Sequence, residues 1–507
     1  MKKQVLSVWV FCSSLGIAQA QTDVTKEYLV NPSFETLKAA DGATDVTVKT
    51  KLENGLYGWE ISRLGNNGNS TFQVESQESG SSSDFPGNGF IVPTEGTYYY
   101  FNSQTWMYGS NESVIKTQTS KPLEAGNYYL TIDYKAADYS NNNTDGNGTS
   151  LGLKVHKAGS EELLGENTAV RRAYSVINNN ASPNGDKYMQ DAPWDKMGVM
   201  FTITESSNID ITIAQTLKSR GRSDVAYDNL KLYKMDEISE SFPLDVSFLI
   251  SNANDYAFGG WKMEGGNTFQ INTWSTEGNT DGSNMTTPFI QDHVGKENKA
   301  ANAIISHTSN YLIPGIYEVS GLIRVLNEAG GAAPSGATLY ANEGSTDACA
   351  GTSCTNGVYG TYTVKGTVGT DGVLTFGIKV ANANFNWVSF KDFKLQYLGA
   401  ATTGQLKAIL KEKMTEAQAC VANCSKGIAA IVNAAITQGN NAQDTEESLN
   451  AAITALTQAI ALAEQAAPAT EAFKTLMATC QGYANHSSAE ESVKQAFQKA
   501  MTDAQAA

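Results

Sequence analysis

The chain has 507 residues, with 36 Lys and Arg against 52 Asp and Glu and a net charge of −16. That length exceeds what one hydrophobic core fills and suits about three domains. The negative surplus excludes nucleic acid and anionic lipid as electrostatic partners, and no run beyond the leader approaches the roughly 18 consecutive apolar residues of a membrane span.

Residues 1–20 read as a secretory signal peptide. Lys2 and Lys3 supply the positive start, Val5 to Ala18 the apolar stretch, and Ala18-Gln19-Ala20 a small-residue cleavage site. The predicted mature chain starts at Gln21 and is secreted or held at the cell surface. Cys12 follows the bulky Phe11, which argues against a lipid anchor at that position.

From residue 22 to 236, short alternating runs are separated by Asn, Gly, Ser and Asp clusters, as in Tyr128 to Tyr134, Val199 to Ile203 and Ile209 to Ile213. A period of two repeated over many runs predicts antiparallel sheets with one buried face, hence a sandwich. The polar stretches 140–148 and 178–195 read as long loops, where binding groups tend to sit.

Residues 240–399 repeat the pattern. Gly55-Leu56-Tyr57-Gly58-Trp59-Glu60 returns as Ala257-Phe258-Gly259-Gly260-Trp261-Lys262, and Ala226-Tyr227-Asp228-Asn229-Leu230-Lys231-Leu232 as Ser389-Phe390-Lys391-Asp392-Phe393-Lys394-Leu395. A second sandwich of the same type is predicted, with strands that include Ile304 to His307, Tyr317 to Val325 and Thr338 to Ala341.

At Ala400 the composition turns to Ala, Gln, Glu and Thr and the period to 3.6. Leu406, Leu410, Met414, Ala417 and Val421 share one helical face. Asp444 with Glu447 predicts a capped second helix carrying Leu449, Ile453, Leu456 and Ile460. Pro468 predicts a break, followed by helices bearing Phe473, Leu476 and Cys480, then Val493, Phe497 and Met501. The fold class is therefore multidomain: two all-β sandwiches followed by an all-α helical bundle or spacer over 403–507. Cys349 and Cys354 are spaced for a local disulfide, and Cys480 is expected to pair across two helices with Cys420 or Cys424.

The run Leu29-Val30-Asn31-Pro32-Ser33-Phe34-Glu35, followed by Gly58-Trp59 and closed by Tyr227 to Leu232, resembles the jelly-roll carbohydrate-binding modules with a galactose-binding-like fold. The resemblance covers about 23–235 and, more weakly, 245–398. It implies a jelly-roll topology, binding of polysaccharide or glycoconjugate glycans, and a structural Ca²⁺ in the first sandwich held by Glu35 and Asp228. The second copy lacks the Phe-Glu pair and keeps only Asp392. The tail resembles helical spacers of surface proteins and offers a surface to protein partners.

Aromatics in loop-like settings are the candidate ligand-binding residues: Trp106, Trp194, Trp274, Tyr98 and Tyr100. On a strand, Tyr98 and Tyr100 face one way and Tyr99 and Phe101 the other, so one pair is core. Asn102, Gln104, Arg171, Arg172 and Asp191 are the accompanying hydrogen-bonding candidates. Trp59, Trp261 and Trp387 read as core. Gly148-Thr149-Ser150-Leu151-Gly152 matches a hydrolase elbow, but it runs into an alternating strand where that chemistry needs a helix. The expected function is a secreted, non-catalytic glycan-binding protein or the binding portion of a larger glycan-degrading one. The alternatives are a structural or adhesive surface protein, and a polysaccharide hydrolase or lyase.

Overall fold

The structure is a computed structural model that describes residues 21–53, 55–64, 68–77, 91–106, 111–138, 149–171, 194–217, 222–250, 260–266, 270–272, 289–350, 358–422, 424–484 and 490–506. It contains four β-sheets followed by helices.

In chain order the first sandwich comprises β1 (Gln21–Asp23), the short helix α1 (Thr25–Tyr28), β2 (Glu60–Leu64), β3 (Gly68–Ser76), β4 (Tyr98–Trp106), β5 (Asn111–Gln118), β6 (Gly126–Asp138), β7 (Thr149–Lys157), β8 (Leu163–Arg171), β9 (Asp195–Ile203), β10 (Ile209–Leu217) and β11 (Arg222–Met235). One sheet has the order β3-β4-β11-β6-β9, with β1 added along β11, and the facing sheet has the order β2-β5-β10-β7-β8. Alternation decides what is buried between them. Phe72 and Val74 on β3, Leu130 and Ile132 on β6, and Val225 and Tyr227 on β11 meet Leu151, Leu153 and Val155 on β7 and Ile209, Ile211 and Ile213 on β10 in one core.

The second sandwich comprises β12 (Leu244–Asp245), β13 (Trp261–Gly265), β14 (Gln270–Asn272), β15 (Phe289–His293), β16 (Ala303–Ser309), β17 (Gly315–Leu326), β18 (Ala337–Ala341), β19 (Gly344–Asp347), β20 (Gly360–Val368), β21 (Leu374–Val380) and β22 (Trp387–Tyr397). Its sheets run β14-β15-β22-β17-β20, with β12 along β22, and β13-β16-β21-β18-β19. Strand for strand this is the first topology again. Each last strand also carries the same bulge, a left-handed residue (Asn229, φ 56°; Asp392, φ 52°) where the register slips against β6 or β17.

A 3₁₀ turn, Ser247–Leu249, follows β12 and packs against β9 of the first sandwich. Phe248 lies where a Cβ on Gly198 would stand, 2.4 Å from its ring, and stacks on Tyr129 at 5.2 Å; Tyr129 stacks in turn on Tyr233 at 4.7 Å.

The helical unit is separate. It contains α2 (Thr403–Val421), α3 (Lys426–Asn440), α4 (Glu446–Ala484) and α5 (Glu491–Ala506). Thr402 and Gln405 form a reciprocal capping box at α2. Two expectations change. The start of α4 is capped by Thr445, whose hydroxyl accepts from the Ser448 N–H at 3.3 Å, in place of Asp444. Pro468 lies inside α4, which continues to Ala484. Proline costs about 3 kcal/mol in a helix interior, but the alanines around it (Ala466, Ala467, Ala469) are the strongest helix formers and carry the helix through. Among the described residues, no helix is long and apolar enough to cross a membrane. Cys420, Cys424 and Cys480 are free thiols, so the expected pairing across helices is not formed; Cys354 lies outside the described residues.

Candidate functional site

The strand registers place five residues in one row across the same sheet of each sandwich. In the first copy the row is Glu60, Lys116, Thr212, Lys154 and Glu166. In the second it is Lys262, Ser306, Gly377, Tyr340 and Ser345. A groove opens over this face in both copies. The first, about 880 Å³, is lined by Glu60, Lys116, Gln118, His156, Asp210 and Thr212 among others. The second, about 500 Å³, is lined by Thr338, Tyr340, Asn342, Glu343, Ser345 and Lys379 among others.

The two rows differ in one chemical respect. In the first, long charged side chains stand on the sheet, and Lys154 is paired with Glu166 at 2.8 Å. In the second, Tyr340 hydrogen-bonds the Ser306 side chain two strands away, across Gly377. Two strand spacings are about 10 Å, so a tyrosine on β18 reaches a serine on β16 only by lying along the sheet. Gly377 stands between them on β21. A Cβ there would come within 1.9 Å of the Ile305 carbonyl oxygen, so the position admits glycine alone. Tyr340 is half-buried and lines the groove. Burial raises its pKa, with the Ser306 hydrogen bond opposing, and the phenol stays neutral and anchored.

Most of the sequence-predicted aromatics lie elsewhere. Tyr100 is in the core, with Phe34 at 5.5 Å and Tyr227 at 6.2 Å, and offers no face to a ligand. The opposite pair, Tyr99 and Phe101, is equally buried, under Ile91 and Trp194. Both faces of β4 are therefore covered, whereas alternation alone suggests that one is open. Tyr98 is half-buried and packs against the core. Trp194 is partly buried, edge-on to Tyr99, and its Nε1 donates to the Val92 carbonyl at 2.9 Å, which anchors it as packing. Trp106 ends β4 with its side chain outside the described residues, and Trp274 lies outside them altogether.

Asn102 and Gln104 are strand residues and buried, both bonded to the Ser113 hydroxyl, rather than loop residues open to solvent. Arg171 closes β8 with its side chain outside the described residues; Arg172 and Asp191 are also outside. Trp59 and Trp261 are buried as expected. Trp387 is clamped between the Arg324 guanidinium at 4.1 Å and the His293 ring at 4.3 Å. Ser150 is the second residue of paired strand β7, at the start of a strand and not at a strand–helix elbow.

Glu35 and Asp228 do come together, on one loop. Asp228 Oδ2 accepts from Thr94 N at 2.7 Å, Glu95 N at 2.9 Å and Thr94 Oγ1 at 3.0 Å, while Oδ1 accepts from Asn229 N at 2.7 Å. Glu35 Oε1 accepts from Thr97 N at 2.9 Å and Tyr98 N at 2.8 Å. Gly96, at φ +70°, lets the loop fold over the Glu35 carboxylate, which a Cβ would meet at 2.4 Å. Calcium takes six to eight oxygens. Here the carboxylate lone pairs are directed at N–H and O–H groups, and among the described residues no three His, Cys, Asp or Glu side chains converge as metal ligands. As arranged, the donor set fits a hydrogen-bonded clamp and not the ion. Burial pushes Asp228 up to about 6, against the pull of those hydrogen bonds.

In the second copy the register aligns Asp392 with Asn229, and Lys391 takes the place of Asp228. The acidic position is thus exchanged for an ammonium, 5.5 Å above the Tyr359 ring.

The chain matches no protein-family description and no curated protein. Among solved structures it is similar to TmCBM61, described in complex with β-1,4-galactotriose (15% identity, 41% of this chain and 97% of that one, TM-score 0.23). It is also similar to the tandem CBM22 domain of Paenibacillus barcinonensis Xyn10C (11%, 76% and 99%, TM-score 0.21) and to a Stig cyclase from Fischerella sp. TAU (13%, 41% and 97%, TM-score 0.25). At such identities and scores, ligand and activity rest on the geometry of this chain's own sites.

Tyr340, Ser306 and Gly377 were not singled out from the sequence. The available signal was Ala337-Thr338-Leu339-Tyr340-Ala341, in which small and apolar residues alternate with an outward tyrosine.

Proposed function

We propose that this is a glycan-binding protein whose second sandwich holds a sugar ring on Tyr340. The observation that carries the reading is a tyrosine laid along an outward sheet face inside a groove of mixed polar and apolar lining. A pyranose presents axial C–H bonds to an aromatic face and hydroxyls around its rim. Thr338, Asn342, Glu343, Ser345 and Lys379 supply donors and acceptors for those hydroxyls. The equivalent groove of the first sandwich is larger, its row carries charged side chains in place of the tyrosine, and it serves as an extension site. One stacked ring at about 0.5–1.5 kcal/mol and a few hydrogen bonds near 1 kcal/mol each give millimolar to micromolar affinity. Two grooves in one chain raise the effective concentration on a polymeric glycan. Together with the expected N-terminal leader, this describes an exported, non-catalytic binder.

The test is a polysaccharide panel read by affinity electrophoresis and calorimetry with the full chain, Tyr340→Ala and Tyr340→Phe. Tyr340→Ala is expected to weaken binding by about 2- to 12-fold, the stacking contribution expressed as an affinity ratio. Tyr340→Phe keeps the ring, loses its Ser306 anchor and falls between. Binding to no polysaccharide, or binding indifferent to Tyr340→Ala, defeats the proposal.

A further inference from the structure

Another groove, of about 830 Å³, lies where the start of the second copy meets the first sandwich, and it shares no residue with the Tyr340 groove. Its lining grows out of the duplication. Asp23-Val24-Thr25 and Asp245-Val246-Ser247 are the same segment in the two copies. Each aspartate is in register with the last strand of its own sandwich, Asp23 with Tyr233 and Asp245 with Gln396, and the Oδ1 of each accepts from the N–H two residues on at 2.9 Å. Both aspartates line this one groove, with Asp195 of β9 as a third carboxylate. The copies then diverge, and Phe248 takes the position of Lys26. Phe248 and Tyr233 are half-buried, line the groove, and both stack on the buried Tyr129.

The charge of the lining is one-sided. Lys196 is already paired with Asp133, whereas the Oδ2 atoms of Asp23 and Asp245 accept no hydrogen bond among the described residues. Burial, then the charge of Asp23, raises the Tyr233 phenol, so that carboxylate acts on the ring. Even an α-ammonium at Gln21, which the expected cleavage after Ala20 creates, leaves the lining with more carboxylates than cations. A different kind of vacancy accompanies the charge. Thr131, 2% exposed, lines the same groove, and its hydroxyl makes no hydrogen bond among the described residues. A nearly buried hydroxyl in that state gains from a ligand hydroxyl.

We propose that this groove binds an amino sugar, a pyranose that carries a free ammonium within a glycan chain. The C–H face of the sugar has Tyr233 and Phe248 to lie against, the ammonium has Asp23, Asp195 and Asp245, and a ring hydroxyl has Thr131. Each part disfavours an alternative. A neutral sugar leaves the carboxylates without a counter-charge, and a uronic acid is repelled by them. A lysine side chain of a protein partner, apolar along its stem, leaves Thr131 unsatisfied.

Calorimetry of the full chain at about pH 6, where an amine of ordinary pKa is protonated, tests this with the β-1,4-linked glucosamine tetramer, its fully N-acetylated counterpart and tetralysine. The glucosamine tetramer is expected to bind at least about tenfold tighter than the N-acetylated one, which has lost the charge-assisted hydrogen bonds. Tyr233→Ala is expected to weaken it about 2- to 12-fold. Asp245→Asn, at an exposed position that leaves the core untouched, is expected to weaken it about threefold and decides the question if Tyr233→Ala does not fold. Tyr340→Ala is expected to leave it unchanged. No binding of the glucosamine tetramer, equal binding of the acetylated form, binding indifferent to Asp245→Asn, or a loss caused by Tyr340→Ala in place of the groove variants overturns the inference. So does tetralysine bound more tightly than the tetramer and released by Asp245→Asn, because the occupant is then a basic protein segment.

Discussion

Replacing Asp228 by asparagine isolates the buried clamp of the first sandwich. In the folded protein the carboxyl is fully buried and titrates near 6, against an ordinary value of 3.8. A folded pKa above the unfolded one means that the native state binds the proton first. The protonation-linked stabilisation is fully present below about pH 3.8 and is lost as the pH rises through about 6. Between pH 7 and pH 4.5 the folded wild type therefore gains about 2 kcal/mol from this one group. The amide that Asp228→Asn introduces has no such titration. It keeps one acceptor but sets an NH₂ against N–H donors from Thr94, Glu95 or Asn229, so Asp228→Asn is destabilising at both pH values. The informative quantity is the difference between them. Urea unfolding of the full chain, with hydrogen exchange of β6 and β11 amides reporting on the first sandwich, is expected to show a penalty about 2 kcal/mol larger at pH 4.5 than at pH 7. An equal penalty at both pH values refutes the account of a buried, hydrogen-bonded carboxyl.

His307, in the core of the second sandwich, titrates in the opposite sense. Burial lowers it to about 4 from 6.5. The unfolded chain takes the proton first, and stability present above pH 6.5 is lost as the pH falls toward 4, by roughly 2.5 kcal/mol at pH 4.5. Exchange of β16 and β21 amides is expected to register that loss in the wild type and not in His307→Gln; a loss of the same size in the variant defeats the assignment. For the clamp at Glu35 and Asp228, neither chelator nor added Ca²⁺ is expected to move the melting temperature. A rise of several degrees on adding the ion, the size expected of a ligand bound well above its dissociation constant, shows instead that the carboxylates exchange their N–H partners for metal.

How much of this was legible in advance depended on the kind of regularity involved. The echo of Gly-Trp at Trp59 and Trp261 and of the last strands at Tyr227 and Phe390 announced two copies of one topology, because a duplicated sequence carries its strand order and its bulge with it. The shift of period at Ala400 announced helices for the same reason: side-chain direction is set by backbone geometry, and periodicity is its trace. Glu35 and Asp228 could be paired across the chain only through the family resemblance. The continuation of α4 through Pro468 was hidden because a local breaking signal was outweighed by the alanines around it.

The sequence by itself thus determined the class of architecture, the duplication and which residues alternate. Tertiary structure decided which alternating face is covered and which is bare. Tyr100 and Tyr340 both stand on strands at positions that a period of two leaves equivalent. One is enclosed by Phe34, Phe72 and Tyr227, and the other lines an outward groove, in register with a glycine 37 residues later in the chain. Periodicity specifies that a side chain points to one side of a sheet. What occupies that side is set by elements distant in sequence, and only packing brings them there.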